Sequence, residues 1–152
     1  MLAVPALPVL RTDGAARTSV ESWSRRAGRL RMGAGGAETM VRVERCAAGR
    51  LKDAYPVGAH DVEVVLETDQ DTETASALLR TLVRAVRAAD PRCRRVVYAV
   101  AEGDQGAAER AASAGFRHVV DVDLADRQLS LLVHEPDWVT GTDADLDHVP
   151  GT

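Results

Sequence analysis

The chain has 152 residues, 45% of them hydrophobic and 3% aromatic, enough for one domain with a core of Val, Leu and Ala and too few for two ordinary domains. Nineteen basic residues, all arginine except Lys52, stand against 23 acidic ones for a formal charge of -4; with no block of clustered bases, the chain lacks the concentrated positive surface that nucleic-acid binding requires. Cys46 and Cys93 are far apart and lack neighbours at metal-ligand spacing, which argues against a disulfide framework and a metal site, and the apolar opening Met1 to Leu10 is too short to span a membrane; together these point to a cytoplasmic protein.

Leu7 to Leu10 predicts a short strand before a turn at Asp13-Gly14. Behind Ser19 as N-cap, Val20, Trp23, Ala27 and Leu30 recur at helical spacing, so Ser19 to Met32 predicts a helix with Arg25, Arg26, Arg29 and Arg31 on its solvated face. Gly33-Ala34-Gly35-Gly36 breaks it as a flexible joint. Met40, Val41 and Val43 alternate with charged residues, which predicts a half-buried strand over Glu38 to Arg45. An irregular stretch, Cys46 to His60, leads to the clearest strand of the front half, Val62 to Leu66. Ala75, Leu78, Leu79, Leu82, Val83 and Val86 then mark one buried stripe of a helix over Thr74 to Ala89, stopped by Asp90-Pro91. Arg95 to Val100 follows directly as a strand, so Val62 to Val100 predicts a parallel β-α-β unit. Asp104 caps a short helix, Gln105 to Ser113, which Gly115 ends in the left-handed conformation. Val119 to Leu124 and Gln128 to His134 predict two antiparallel strands around a turn at Ala125-Asp126. Trp23 and Trp138 fasten the chain ends to the core of a domain spanning residues 1–139, and residues 140–152 form an acidic, disordered tail.

Three segments resemble the Gcn5-related N-acetyltransferase (GNAT) superfamily, and within it the branch that acylates hydroxylated lysine or diamine groups in siderophore assembly. They are Ala54-Tyr55-Pro56-Val57-Gly58-Ala59-His60-Asp61; Ala88-Ala89-Asp90-Pro91-Arg92-Cys93-Arg94-Arg95-Val96-Val97; and Ala114-Gly115-Phe116 followed by Asp121-Val122-Asp123-Leu124-Ala125-Asp126-Arg127. The resemblance covers roughly residues 41–134. It implies an α/β (α+β) fold with a mixed, mostly antiparallel sheet, flanking helices and a central parallel β-α-β unit. It also implies acetyl-CoA or another acyl-CoA as donor.

Several chemical positions depart from that family. Its acyl-CoA pyrophosphate is held by main-chain N–H groups in a glycine-containing loop at the start of the long helix. Here that loop, Glu67-Thr68-Asp69-Gln70-Asp71-Thr72-Glu73-Thr74, has no glycine and four carboxylates, so the site is degenerate. Thr72, Thr74 and Asp104 are the cofactor-binding candidates. The branch's central-strand histidine falls on Val65, which leaves His60 as the candidate general base, with a loop hydrogen-bonding cap as its ordinary role. The asparagine and tyrosine positions of the short helix fall on Asp104 and Ala111, and Tyr98 is a candidate replacement acid. Asp123 and then Asp121, projecting together from one strand face, are candidates for polarising a base or holding an amine; a solvent-facing edge is their alternative reading.

The resemblance implies an acyl-CoA-dependent N-acyltransferase acting on a small amine or hydroxylamine, in siderophore or other natural-product biosynthesis. The alternatives are a non-catalytic GNAT-fold partner or small-ligand-binding protein, and a CoA-independent reaction in the same cleft. No metal, nucleic acid or membrane enters any of these readings. The front 40 residues are shorter and less patterned than the superfamily's usual opening, so a homodimer completing the amine-binding side is a further expectation.

Overall fold

The computed structural model describes residues 3–12, 17–34, 37–67 and 70–136. Asp13-Gly14, Gly35-Gly36, Trp138 and residues 140–152 lie outside the described residues, and with them the turn, part of the joint and the tail expected there. The elements in chain order are β1 (Arg17–Trp23), β2 (Ala27–Ala34), β3 (Ala37–Arg45), a single 3-10 turn (Cys46–Ala48), β4 (Val62–Leu66), α1 (Thr72–Ala89), β5 (Val96–Ala101), α2 (Gln105–Ser113), β6 (Arg117–Asp123) and β7 (Gln128–His134). The strands form one sheet in the order β1-β2-β3-β4-β5-β7-β6. Every neighbouring pair is antiparallel except β4 and β5, which flank α1 as the expected parallel unit.

The helix predicted over Ser19 to Met32 is two strands. Ser24 makes the turn between them: its Oγ accepts from the amides of Arg26 and Ala27 and donates to the Ala27 carbonyl. Val20 then lies opposite Leu30, and Trp23 opposite Gly28, so Val20, Trp23 and Leu30 share one sheet face while Ala27 falls on the other. The helical spacing of Val20, Trp23, Ala27 and Leu30 is overridden by the alternation of Gly28, Leu30 and Met32 with Arg29 and Arg31, and pairing with β3 decides for the strand. Gly28 is obligatory here, since a Cβ would fall 2.1 Å from the Trp23 ring. The strand predicted over Leu7 to Leu10 is an extended segment outside the sheet. Leu7 and Leu10 are buried nonetheless, and Trp23 ties that segment down by donating Nε1–H to the Leu7 carbonyl at 2.9 Å.

α1 and α2 pack on one face of the sheet. α1 contributes Leu78, Leu79, Leu82, Val83 and Val86 to the main core, over Leu30, Met32, Val41, Val43, Val62 and Val64. Each large side chain so buried contributes about 1.5–3 kcal/mol. The opposite face carries a smaller core of Cys46, Leu51, Val97, Val122, Leu129, Leu131 and Val133, covered by the loop that holds Tyr55. Over β2 and β3 that face is instead polar, with Arg29, Arg31 and Arg42 all exposed. Among the described residues no helix is long and apolar enough to cross a membrane.

Candidate functional site

β4 and β5 pair at only two positions, Val62 with Val96 and Glu63 with Val97, and then part. Their hydrogen-bonding alternation fixes what faces the gap. Val62 N–H donates across to Arg95 O at 3.1 Å, whereas Glu67 N–H donates to Met40 O on the β3 side at 2.9 Å. The peptide groups of Val64 and Leu66 therefore point toward β5, and those of Ala99 and Ala101 point back. The opening is a cavity of about 170 Å³ lined by Leu66, Gln70, Tyr98, Asp104, Arg110 and neighbouring small residues.

The start of α1 closes one end of this cleft. Asp71 is its N-cap and accepts the Thr74 amide at 3.2 Å, so a carboxylate already holds one of the N–H groups that an anion would need. Thr72 opens the helix and is exposed. Gln70 is fixed twice: its side-chain amide donates to Thr39 Oγ1, and its main-chain carbonyl accepts from Arg110 Nη1 at 2.8 Å. Arg110 comes from α2, which Ser76 ties to α1 by donating to the Arg110 carbonyl. No carboxylate among the described residues pairs with this guanidinium, and its buried Nε has no hydrogen-bond partner. Arg110 and Gln70 carried no spacing signal in the sequence, because it takes the α1–α2 packing to bring them together.

Of the residues singled out from the sequence, Tyr98 and Asp104 line the cleft. Tyr98 packs edge-on against Phe116, with ring centroids 6.2 Å apart. Asp104 caps α2, accepting the Ala107 amide at 3.1 Å. His60 sits beyond the other end of β4, where its Nδ1 lies 2.9 Å from Asp90 Oδ2. Asp121 and Asp123 are on β6, at the sheet edge and separated from β5 by β7. Asp121 accepts from Ser130 Oγ at 2.7 Å and pairs with His118 at 2.8 Å; first the His118 contact and then Ser130 hold its carboxyl below the usual value. The structure thus brings together Tyr98, Asp104 and the start of α1, and does not bring His60, Asp121 or Asp123 to them. Val65, on the sheet face opposite the helices, has a neighbour the sequence reading missed. Glu63 shares that face, is buried, and is clasped by Arg50 at 2.6 and 3.3 Å.

Neither thiol offers a nucleophile. Burial pushes Cys93 up to about 12 and raises Cys46 further, so both stay protonated. Among the described residues no group of three or more His, Cys, Asp or Glu is placed to hold a metal ion.

No family model and no curated protein matches the sequence. Solved structures do match the fold. The aminoglycoside acetyltransferase AAC(6')-Ib, in complex with ribostamycin and coenzyme A, superposes with a TM-score of 0.63 at 13% identity, over 74% of this chain and 65% of that one. The GNAT domain of S. lividans PAT gives 0.52 at 22% identity, over 73% and 61%. Mycobacterium smegmatis RimJ in complex with CoA-disulfide gives 0.53 at 15% identity, over 74% and 54%. The chain spans about two thirds or less of the length of these structures. At such identities the likeness is one of fold, and the fold is GNAT-like.

Proposed function

We propose that this chain is an acyl-CoA-dependent N-acyltransferase that acylates a small amine or hydroxylamine, with siderophore-type assembly as its setting. The parting of β4 and β5 carries the reading: it leaves two strand edges facing a cleft under the helices, where an extended amide-bearing arm can pair with backbone. The Val64 and Leu66 peptide groups would hold the arm of the acyl donor. An N–H of the same edge would meet the oxyanion formed when the amine nitrogen attacks the thioester carbonyl. Tyr98, which lines the cleft, would give a proton to the departing thiolate, and the amine's proton would pass to water. His60 has no part in this scheme, and Asp121 and Asp123 are left to the sheet edge. Rate comes mainly from positioning, so the lack of a histidine at Val65 is compatible with turnover.

The donor's anionic end fits less simply. The N-terminus of α1 lacks a glycine loop, and it carries Asp71 as N-cap and Glu73 in its first turn. Arg110, without a carboxylate partner and with its Nε unpaired, supplies the positive charge that the loop does not. A second reading, a GNAT-fold protein that binds a partner or small ligand without catalysis, rests on one observation: Asp71 occupies the Thr74 amide.

Titration calorimetry with acetyl-CoA and with free CoA separates the two. Binding tighter than about 100 μM, roughly -5.5 kcal/mol, is expected for the acyltransferase. No heat, together with an unchanged Tm at millimolar ligand, would overturn it in favour of the second reading.

A further inference from the structure

On the sheet face opposite the helices, the loop that holds Tyr55 and the last two strands enclose a pocket of about 310 Å³. Its apolar wall is made of Ala54, Pro56, Val119, Val120, Leu131 and Val133. Val119 and Val120 are consecutive residues of β6, and in a regular strand their side chains would point to opposite faces. The register of β6 against β7 slips between His118, opposite Leu132, and Val120, opposite Leu131. Val119 is the extra residue of that bulge, and the bulge brings both valines to the same pocket. It also leaves Val119 48% exposed, uncommon for a large apolar side chain in this chain.

The loop side of the pocket is preformed. Asp61, 2% exposed, accepts the Tyr55 hydroxyl at 2.8 Å and the Gly58 amide at 2.9 Å. Arg95 joins the same cluster, donating through Nη1 to Asp61 Oδ2 at 3.3 Å and to the Pro56 carbonyl at 3.2 Å, with its guanidinium carbon 5.9 Å from the centre of the Tyr55 ring. Both hydrogen bonds use one nitrogen, so Nε and Nη2 keep N–H groups to give at the pocket wall. The charged side chains of the described lining are paired, Arg95 with Asp61 and Arg117 with Glu135. A charged ligand would leave water for a wall whose counter-charges are already engaged, and a neutral one avoids that loss.

We propose that this pocket binds a neutral, largely apolar small molecule of one or two rings that carries a carbonyl group. The apolar wall takes the rings, and Arg95 donates to the carbonyl oxygen. The volume lies at the low end of the range usual for small-molecule sites, about 300–1,000 Å³, which sets the size of the occupant. Among the described residues the pocket shares no lining residue with the cleft between β4 and β5, so it stands apart from the acyltransferase reading.

The test is a fluorescence titration of the full chain with prodan, a neutral naphthyl ketone whose emission moves to the blue in apolar surroundings. Saturable binding is expected. Val119→Asp should weaken it about tenfold or more. Val20→Asp, at a valine 45% exposed on β1 at the far edge of the sheet, should leave it unchanged. Both valines are exposed, so neither change disturbs a core. Competition by three molecules of matched size then reads the chemistry. Acetonaphthone should displace the probe at a concentration about threefold or more below that of ethylnaphthalene, which lacks the carbonyl, or naphthoate, which is charged. Absence of saturable binding, or binding that Val119→Asp retains, would overturn the proposal. So would displacement by naphthoate or ethylnaphthalene as readily as by acetonaphthone, since the pocket would then select charge or apolar bulk and not a neutral carbonyl.

Discussion

Arg45, at the end of β3, has 1% of its side chain exposed, and its guanidinium is divided among the carbonyls of Pro5, Ala6 and His60 and the carboxylate of Asp90. It therefore joins the N-terminal segment, the loop before β4 and the end of α1 at one point. Replacing Arg45 with Ala would remove the donor from three carbonyls and strip Asp90 of its buried cation, and should cost about 3–5 kcal/mol in urea unfolding. A loss below about 1 kcal/mol would show that the junction contributes little. The same site sets an acid dependence. Burial pushes the Asp90 carboxyl up, but the hydrogen bonds from His60 and Arg45 and the charge on Arg45 outweigh it and hold the group below its ordinary 3.8. The stabilisation is then present above that value and is lost as pH falls through the lowered one. Asp90→Asn should accordingly be less stable than the parent at neutral pH, with the gap narrowing below about pH 4. A gap independent of pH would remove Asp90 from the acid response. Gly115 makes a different kind of demand: its φ is +92°, and a Cβ there would lie 3.1 Å from His134 Nε2. Gly115→Ala should cost about 1–2 kcal/mol from the left-handed backbone alone, read as a lowered unfolding midpoint.

Among the elements, α1 shows stability and ligand binding pulling in opposite directions. Asp71 caps it through the Thr74 amide, so Asp71→Ala should lower stability by about 0.5–2 kcal/mol. The same change frees that amide and removes a negative charge beside the cleft. Acetyl-CoA affinity should rise about twofold to fivefold, the equivalent of 0.3–1 kcal/mol. A variant that is both less stable and a weaker binder would contradict this placing of the donor's anionic end. The helices and the parallel unit were legible in the sequence because α1 carries a long single-period stripe and Asp104 and Gly115 bracket α2 with the right end chemistry. The hairpin of β1 and β2 was not, because Val20, Trp23, Ala27 and Leu30 satisfy a helical period. Only the alternation of Leu30 and Met32 with Arg29 and Arg31, and Gly28 beneath the Trp23 ring, betrays the strand. The cleft was half legible. Its strands and Tyr98 could be placed from their pattern, but Arg110 and Gln70 meet through packing between α1 and α2, which no local spacing encodes.

For the molecule as a whole, the sheet separates two cores that are closed by different means: two helices on one side, and a loop with a single 3-10 turn on the other. The larger core also depends on residues 3–12, which lie outside the sheet yet bury Leu7 and Leu10 and accept hydrogen bonds from Trp23 and Arg45. Deleting residues 1–11 should cost roughly 3–6 kcal/mol from the two leucines alone. Thermal unfolding would show it as a large drop in Tm, and an unchanged Tm would mean that the core closes without them. The two outermost strands share a trait with consequences beyond the single chain. β1 slips register between Val20 and Ser22, β6 slips between His118 and Val120, and ionisable side chains stud both: Arg17 and Glu21 on one, Arg117, His118, Asp121 and Asp123 on the other. A kinked, charged border is a poor template for another strand. The seven-stranded sheet is thus self-limiting: it resists growth into fibrils, and any pairing of two copies must run through faces or loops and not through a continuous intermolecular ladder.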